Sequence, residues 1–508
     1  MNKGKVFLVG AGPSDVGLFT LKGKAVLEAA DVVVYDALVG QAVLHLIPEH
    51  VRRIDVGKRA GDHPVPQGEI NQILLREALA GNTVVRLKGG DPFLFGRGGE
   101  ELELLVEYGI PFEIVPGVTS AIAVPAYAGI PVTHRDFCSS VHIITGHTKK
   151  NPEAEIDYDA LVRLNGTLVF LMGAGALETI CARLIEAGLA PDTPAAILER
   201  GTTAAQRRVA ADVACLPLLA ARAQIKTPAI IVVGEVCSLA EKFAWAEHRP
   251  LGGKRIIVTR PRALASKLVH LLREKGAEVV ELPSIVTQPI TPNLPLDHAL
   301  AQISRYSWLV FTSPAGVEIF FSHLRQSRMD IRALAGVKLA AIGSATAKEI
   351  ERRGLLVALM PEAYNAVELA DKLALTVGKE ERVLIARAKE GTPDLTDKLN
   401  EQCIAYDDVA LYDTLYTCED AAAVSEMLDA GELDYVAFTS ASTVRGFVNT
   451  LGKRDYSKLH AVCIGQSTEK QAKEYGMQTH TAQQATIESM MDLMIQLSKG
   501  EQENDTAE

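Results

Sequence analysis

Short apolar runs rich in Val, Ile and Leu alternate with longer amphipathic stretches from one end of the chain to the other. That alternation predicts α/β domains with mostly parallel sheets, because a doubly covered strand reads as a continuous apolar run and its crossover as a helix with one apolar face. In QGEINQILLREALAGN, Ile70, Ile73, Leu74 and Ala78 share one helical face, and Gly81 is placed to end the helix. The pattern breaks at AWAEHRPLGGKR, where charge, Pro250, Gly252 and Gly253 precede the strand-like RIIVTR, so a linker is predicted over 246–254. The acidic tail 498–508 lacks an apolar stripe and is expected to be disordered.

Beyond the linker the pattern repeats. RIIVTRPRALASKLVHLLREKG and RVLIARAKEGTPDLTDKLNEQC start 127 residues apart, at 255 and 382, and WLVFTSPAGVEIFF and YVAFTSASTVRGFV keep that spacing at 308 and 435. LAAIGSATAKEIERRG at 339 and AVCIGQSTEKQAKEYG at 461 form a third pair. Matched elements in one order predict two similar α/β lobes. Strand ends carry small hydroxyls: Thr312, Ser313, Ser344 and Thr346 in one lobe, Thr439, Ser440, Ser442, Ser467 and Thr468 in the other. Ligands bind at the carboxyl ends of strands in open parallel sheets, so two facing rims would form a cleft. The plainer role for each residue is to cap the helix that follows.

A chain of 508 residues is expected to form about three or four domains. With 48% hydrophobic and 23% charged residues, its composition is that of a globular protein. No apolar run approaches the ~18 residues of a membrane span, and too few apolar residues precede the Gly10 turn for a signal-peptide core. A cytoplasmic location is therefore expected. The seven cysteines are scattered without a Cys-x-x-Cys pair, which predicts reduced, buried thiols with neither disulfide nor metal site. A formal net charge of −11 disfavours a nucleic-acid partner, so any anionic ligand would need a local basic cleft.

The first strand runs into a glycine turn, VFLVGAGPSDVGLFTLKG. Gly10 and Gly12 fit the start of a dinucleotide fingerprint, but Asp15 holds the third glycine's place and Pro13 removes a backbone donor. Both changes argue against a diphosphate, although Asp36 at the end of the next run could hold a ribose. In VVRLKGGDPFLFGRGGEE a strand meets Gly89, Gly90 and Asp91, where bare backbone and a carboxylate suit a bulky cationic ligand.

Seven ordered blocks extend this signal: VGAGPSD, YDALV, VGKRAG, VPQGEINQILL, VVRLKGGDPFLFGRGGEE, VPGVTSAIAVPAYAGIPVTHRD and FLMG. Together, over about residues 3–245, they resemble uroporphyrinogen-III C-methyltransferase of the tetrapyrrole methylase fold. The resemblance implies two α/β domains (1–135 and 136–245), S-adenosyl-L-methionine in the cleft between them, tetrapyrrole substrates and a homodimer formed through this half. It implies that Pro13, Gly89, Gly90, Asp91, Leu94, Thr119, Ser120, Met172, Gly201 and Ala229 line the cofactor, that Asp36 accepts a proton and that Lys58 donates one. A substrate bearing eight carboxylates calls for cations, with Lys58, Arg59, Arg86, Arg97, His134 and Arg135 as candidates. Ser14 departs from the family pattern, which commonly has glycine there, and because serine is small at most a local change in the turn is expected.

Residues from about 253 to 497 resemble uroporphyrinogen-III synthase through IIVTRP, LVFTSPAGVEIFF, YVAFTSASTVRGF and CIGQSTEKQA. This implies lobe 1 over 255–288 plus 418–497, lobe 2 over 289–417 and a two-stranded connector. It also implies closure of hydroxymethylbilane to uroporphyrinogen III without a cofactor. Thr312, Ser313, Thr439, Ser442 and Ser467 would bind substrate, and Tyr412 matches a tyrosine often placed over the leaving hydroxyl. Here Gln466 replaces the family's usual proline in IGPTT. The two resemblances agree chemically, since the product of one half is the substrate of the other: methylation at C2 and C7 would then give precorrin-2, on the route to sirohaem or cobalamin. The alternatives are an NAD-dependent oxidoreductase built on Gly10 and Gly12, and a two-lobed small-molecule receptor.

Overall fold

The computed structural model describes residues 3–57, 65–146, 156–259, 262–362, 365–391, 393–416 and 421–505. Strands Lys5–Gly10 (β1), Val32–Tyr35 (β2), Arg52–Asp55 (β3), Thr83–Lys88 (β4) and Phe112–Val115 (β5) form a parallel sheet in the order β3-β2-β4-β1-β5. The expected helix runs Gln67–Leu79 and buries Ile70, Leu74 and Ala78 against this sheet's core.

The second sheet departs from the parallel expectation. It contains Val141–Thr145 (β6), Thr167–Leu171 (β7), Pro194–Glu199 (β8), Arg207–Asp212 (β9) and Ala229–Val233 (β10), in the order β6-β7-β10-β8-β9. Only β6 and β7 pair parallel; β10 runs antiparallel to β7 and β8, and β8 to β9. Residues 200–206 join β8 to β9 directly, and so short a connection can join only antiparallel neighbours.

Two further sheets follow. Arg255–Val258 (β11) and Glu278–Glu281 (β12) begin the third, and the chain then leaves through Ile285–Pro289 (β13). Trp308–Phe311 (β14), Lys338–Ala341 (β15), Val357–Leu359 (β16), Arg382–Ala388 (β17) and Ala405–Tyr416 (β18) build the fourth, ordered β13-β18-β17-β14-β15-β16. The chain then returns to the third with Tyr435–Phe438 (β19), His460–Cys463 (β20) and Gln478–Thr481 (β21), ordered β12-β11-β19-β20-β21. Antiparallel pairing of β13 with β18 makes the two-stranded connection between these lobes.

The repeat takes an exchanged form. The matched strands are β11 with β17, β14 with β19 and β15 with β20, yet β11 pairs with β19 and β17 with β14. Each lobe therefore combines the opening strands of one repeat with the closing strands of the other. Both reach the same doubly wound arrangement.

Two expectations are corrected. The tail is helical from Ile487 to Asp505. Met490, Met494 and Ser498, spaced four apart, are fully buried, and Glu501 accepts from Lys254 Nζ at 2.5 Å and Tyr435 OH at 2.7 Å. An anchored acid and a narrow methionine stripe thus replace the broad apolar face the prediction looked for. Cysteine burial is also uneven: Cys181, Cys237 and Cys463 are buried, but Cys215 and Cys403 are exposed. Burial pushes the Cys181 thiol up to about 11 and the Cys463 thiol up to about 12, which keeps them in the unreactive protonated form.

The segment joining the halves is packed. Leu251 is buried, and Arg249 Nη2 donates to the carbonyls of Arg273 and Glu274, both at 2.6 Å. No helix among the described residues is long and apolar enough to cross a membrane.

Candidate active site

The glycine turn after β1 meets another stretch of backbone. A Cβ on Gly10 would lie 2.5 Å from Gly117 Cα and 2.6 Å from the Gly90 carbonyl oxygen, a separation only glycine permits. Gly12 N donates to Gly90 O at 3.2 Å and Gly90 N to Gly12 O at 2.8 Å, while Ala11 N donates to Lys88 O. These bonds engage donors that a pyrophosphate would require. Asp15 is similarly committed: Oδ1 accepts from Gly17 N at 2.7 Å and Oδ2 from Tyr127 OH at 2.6 Å. The dinucleotide alternative thus loses the donors that suggested it.

The two sheets of the N-terminal half enclose a cavity of about 830 Å³, within the ordinary range for small-molecule sites. All ten residues expected around a cofactor are in its wall. Pro13 comes from the first turn; Gly89, Gly90, Asp91 and Leu94 follow β4; Thr119 and Ser120 begin the helix Ser120–Tyr127. The second sheet contributes Met172 after β7, Gly201 from the β8–β9 hairpin and Ala229 at the start of β10. Asp91 braces this wall, its Oδ1 accepting from Phe93 N and Leu94 N and its Oδ2 from Gly117 N at 3.0 Å. Gly90 has φ +67°, and the nearest atom to an added Cβ would be Ser120 N at 4.0 Å. Bare backbone therefore faces open cavity there.

Asp36 also lines the cavity, directly after β2. Its Oδ1 accepts from Leu38 N at 3.1 Å, the expected strand-end cap, while Oδ2 faces Arg86 Nη2 at 3.4 Å. Lys58 and Arg59 lie outside the described residues. Of the other candidate cations, Arg86 and Arg97 line the cavity, whereas His134 and Arg135 are outside its wall.

Beneath Asp36 is a buried charge cluster that sequence reasoning missed. Arg86 and Lys88 stand two residues apart on central β4, so they share a face, and Glu101 is fully buried opposite them. Glu101 Oε1 accepts from Lys88 Nζ at 2.6 Å, Gln67 Nε2 at 3.1 Å and Arg86 Nε at 3.2 Å. Burial holds the Lys88 ammonium below its ordinary pKa, and the neighbouring Arg86 charge adds to that effect against the pull of Glu101. The available signal was RLK inside an otherwise apolar strand, because two cations on a covered face require an acid.

The C-terminal half contributes Arg255 and Glu432 to the same wall. Arg255 Nη1 donates to Glu432 Oε2 at 2.6 Å, and Arg200 Nη1 of the N-terminal half faces Glu432 Oε1 at 3.3 Å.

In the lobes, the structure joins Tyr412 to Ser313. Their hydroxyl oxygens are 2.8 Å apart, and the Tyr412 ring belongs to the lobe 2 core where β18 turns from β17 to pair with β13. Burial raises the phenol's pKa, and the Ser313 hydrogen bond partly opposes that rise. Ser313 also caps the helix Pro314–Gln326 by accepting from Gly316 N, so the capping role holds for it. Thr312 ends β14. In the other lobe Ser440, not Thr439, is the capping side chain, and Ser442 Oγ lies 2.9 Å from Ser440 Oγ. Ser467 lies in the first turn of the helix Gln466–Glu474. Among the described residues no hydrogen bond joins the two rims.

A cavity between two α/β layers, followed by an exchanged pair of doubly wound lobes, is the architecture of a two-part α/β enzyme. Residues 5–217 match the family of tetrapyrrole (corrin/porphyrin) methylases, and residues 266–492 match uroporphyrinogen-III synthase HemD. The chain is 48% identical over 500 residues to the porphyrin biosynthesis protein HemD of Ruminiclostridium josui, covering 98% of this chain and 99% of that protein. It is 40% identical over 377 residues to uroporphyrinogen-III C-methyltransferase of Bacillus subtilis, covering 74% of this chain and 77% of the relative. The crystal structure of uroporphyrin-III C-methyltransferase from Thermus thermophilus with S-adenosylhomocysteine is 40% identical, covers 46% of this chain and 99% of that one, and gives a TM-score of 0.40. The chain belongs to this family as a fusion of a tetrapyrrole methylase with a uroporphyrinogen-III synthase, and carries both enzyme activities.

Proposed function

We propose that the C-terminal half closes hydroxymethylbilane to uroporphyrinogen III, and that the N-terminal half methylates this product at C2 and C7 to give precorrin-2. The observation carrying this reading is that ten residues from separate segments meet Asp36 on one cavity. Its open glycine edge fits a bulky cofactor, and the partly exposed Arg97 and Arg200 in its wall fit an anionic substrate. S-adenosyl-L-methionine, held there, supplies an electrophilic methyl group. A pyrrole carbon that gains this methyl, as the donor leaves as neutral S-adenosylhomocysteine, becomes cationic; Asp36 takes up the one proton whose net loss restores neutrality, and Lys58 can donate a proton to shift a double bond only where the macrocycle gives up another to solvent.

In the lobes, the strand-end hydroxyls bind substrate carboxylates, and the Tyr412–Ser313 pair assists departure of the hydroxyl as water. That half requires no cofactor in this reading. The protein acts in the cytoplasm as a homodimer formed through its methyltransferase half, on the route to sirohaem or cobalamin.

The test supplies hydroxymethylbilane with and without S-adenosyl-L-methionine. Type III uroporphyrinogen is expected without the cofactor and its dimethylated product with it. Type I isomer alone would overturn the synthase reading, and unmethylated type III product despite added cofactor would overturn the other.

A further inference from the structure

The β8–β9 hairpin closes one side of the N-terminal cavity, and it is gripped from both halves of the chain. It places Gly201 in the wall, and Thr202 Oγ1 donates to the Pro13 carbonyl. Arg200 at φ +45° and Thr202 at φ +67° adopt the left-handed region, which non-glycine residues keep only when their surroundings impose it. Part of that restraint is local: Thr202 N donates to Gln206 Oε1 at 2.7 Å, and Gln206 Nε2 to Tyr127 O at 3.2 Å.

The remainder comes from the C-terminal half. Ala204 N donates to Glu278 Oε2 at 2.7 Å, and Arg200 pairs with Glu432. Arg255, 7% exposed, holds both acids: Nη1 donates to Glu432 and Nη2 to Glu278 at 3.3 Å. A buried guanidinium cannot leave its carboxylates without a large desolvation penalty, so the two acids are fixed relative to each other. A second cavity of about 320 Å³ lies between the halves and shares Ser14 and Thr203 with the first, so the Pro13 turn and the hairpin form the partition between them.

We propose that the synthase half is a working part of the methyl-donor site, with Glu278 and Glu432 acting as positioning residues that hold the β8–β9 hairpin against Pro13 and so set the affinity for the donor. This rests on the reading that the cavity binds S-adenosyl-L-methionine. Coupling of this kind is reciprocal: a ligand that favours the closed hairpin also tightens the contact between the halves.

The test uses the full chain with S-adenosylhomocysteine as probe. Glu278 lies outside the cofactor cavity, so its substitution reports on positioning rather than direct contact. Glu278→Ala is expected to weaken calorimetric binding about 5- to 10-fold. Glu278→Gln, which keeps an acceptor for Ala204 N, is expected to stay within about two-fold of the parent. Both variants should still form type III uroporphyrinogen at the parent rate. In the unaltered protein, saturation with the probe should slow amide exchange in β12 and around Glu432. Parent affinity in Glu278→Ala, or unchanged exchange in β12 on saturation, would overturn the proposal. Should Glu278→Ala also lose synthase activity, the exchange measurement on the unaltered protein decides alone. If the unaltered protein does not bind the probe, the cofactor reading fails, and this proposal with it.

Discussion

Arg255 and Thr259 stand at the two ends of a single strand and face different surroundings. Arg255 opens β11 and lines the methyltransferase cavity. Thr259, just past the other end, donates to Ala437 O at 3.0 Å, on the rim that leads to Thr439. The candidate sites thus lie toward opposite ends of the strands of one sheet, separated along β11 by about 13 Å. With the two sites at opposite ends of that strand, uroporphyrinogen III is expected to pass through bulk solvent. With labelled hydroxymethylbilane as feed, added unlabelled uroporphyrinogen III should dilute label in the methylated product in proportion to its concentration. Label that resists dilution would reveal direct transfer.

Asp36→Asn tests the proton acceptor. The amide oxygen can still accept from Leu38 N, as Oδ1 now does at 3.1 Å, so the turn after β2 should persist. The side chain loses its basicity, and methyl transfer is expected to fall by about 10²-fold or more. S-adenosylhomocysteine affinity and the rate of cyclisation should stay near parent values. Equal loss of both activities would point to misfolding.

Glu101→Gln tests the charge cluster. It would leave Arg86 and Lys88, 2% and 5% exposed, without their shared carboxylate. Breaking a buried pair from one side costs about 3–5 kcal/mol, so the N-terminal half should unfold at markedly lower temperature. Lys88→Met leaves Glu101 with Arg86 and Gln67, and a smaller loss is expected. Calorimetric melting of both variants checks the order; equal stability would show that the cluster is not coupled as drawn.

The cavity was legible chiefly through the resemblance of its ordered blocks to a methylase, while the local signals of glycine and proline after strands marked only turns such as Gly10 and Gly89–Gly90. Glu101 and Glu432 were not, since each matters through what it meets after folding rather than through its neighbours in the chain. The same division appears in the lobes. Spacing showed that β11 resembles β17, but only long-range pairing decides that β11 lies beside β19. The continuation of helix Ile487–Asp505 past residue 497 escaped notice because the segment from 498 has no apolar stripe of its own and is anchored instead by Glu501, held by Lys254 and Tyr435.

Ser14 holds a conformation that suits glycine. Its φ is +102°, and a Cβ on Gly40 would lie 2.8 Å from Ser14 Cα, so the turn has little room to relax. Strain of this kind costs about 1–3 kcal/mol, against about 0.5–1 kcal/mol for the added freedom of glycine in the unfolded chain. Ser14→Gly is therefore expected to raise the melting temperature of the N-terminal half by a few degrees, corresponding to about 1 kcal/mol. Ser14→Val should lower it. A stabilising valine would contradict the conformation found here.

Asp407 gives lobe 2 a defined acid sensitivity. Its Oδ1 accepts from Arg382 Nη2 at 2.7 Å, and its Oδ2 from Arg382 Nε at 2.8 Å and Tyr306 OH at 2.6 Å. The Arg382 hydrogen bonds lead in holding the carboxyl down at about 2, with Tyr306 adding to them against partial desolvation. Because the folded value lies below the unfolded one of about 3.9, the stabilisation is present above pH ~4 and is lost as pH falls toward 2. The Asp407 side chain is 37% exposed, so solvent screening reduces the contribution to about 1 kcal/mol. Asp407→Asn should lower the lobe 2 melting transition at pH 7, and the difference from the parent should shrink as pH falls below ~4 and vanish only below pH ~2. The same substitution should move the Tyr306 phenol, now raised to about 12 by burial and then by Asp407, back toward 10, which ultraviolet titration would detect. A pH-independent difference between the two proteins would show that the loss is one of packing rather than of the ion pair.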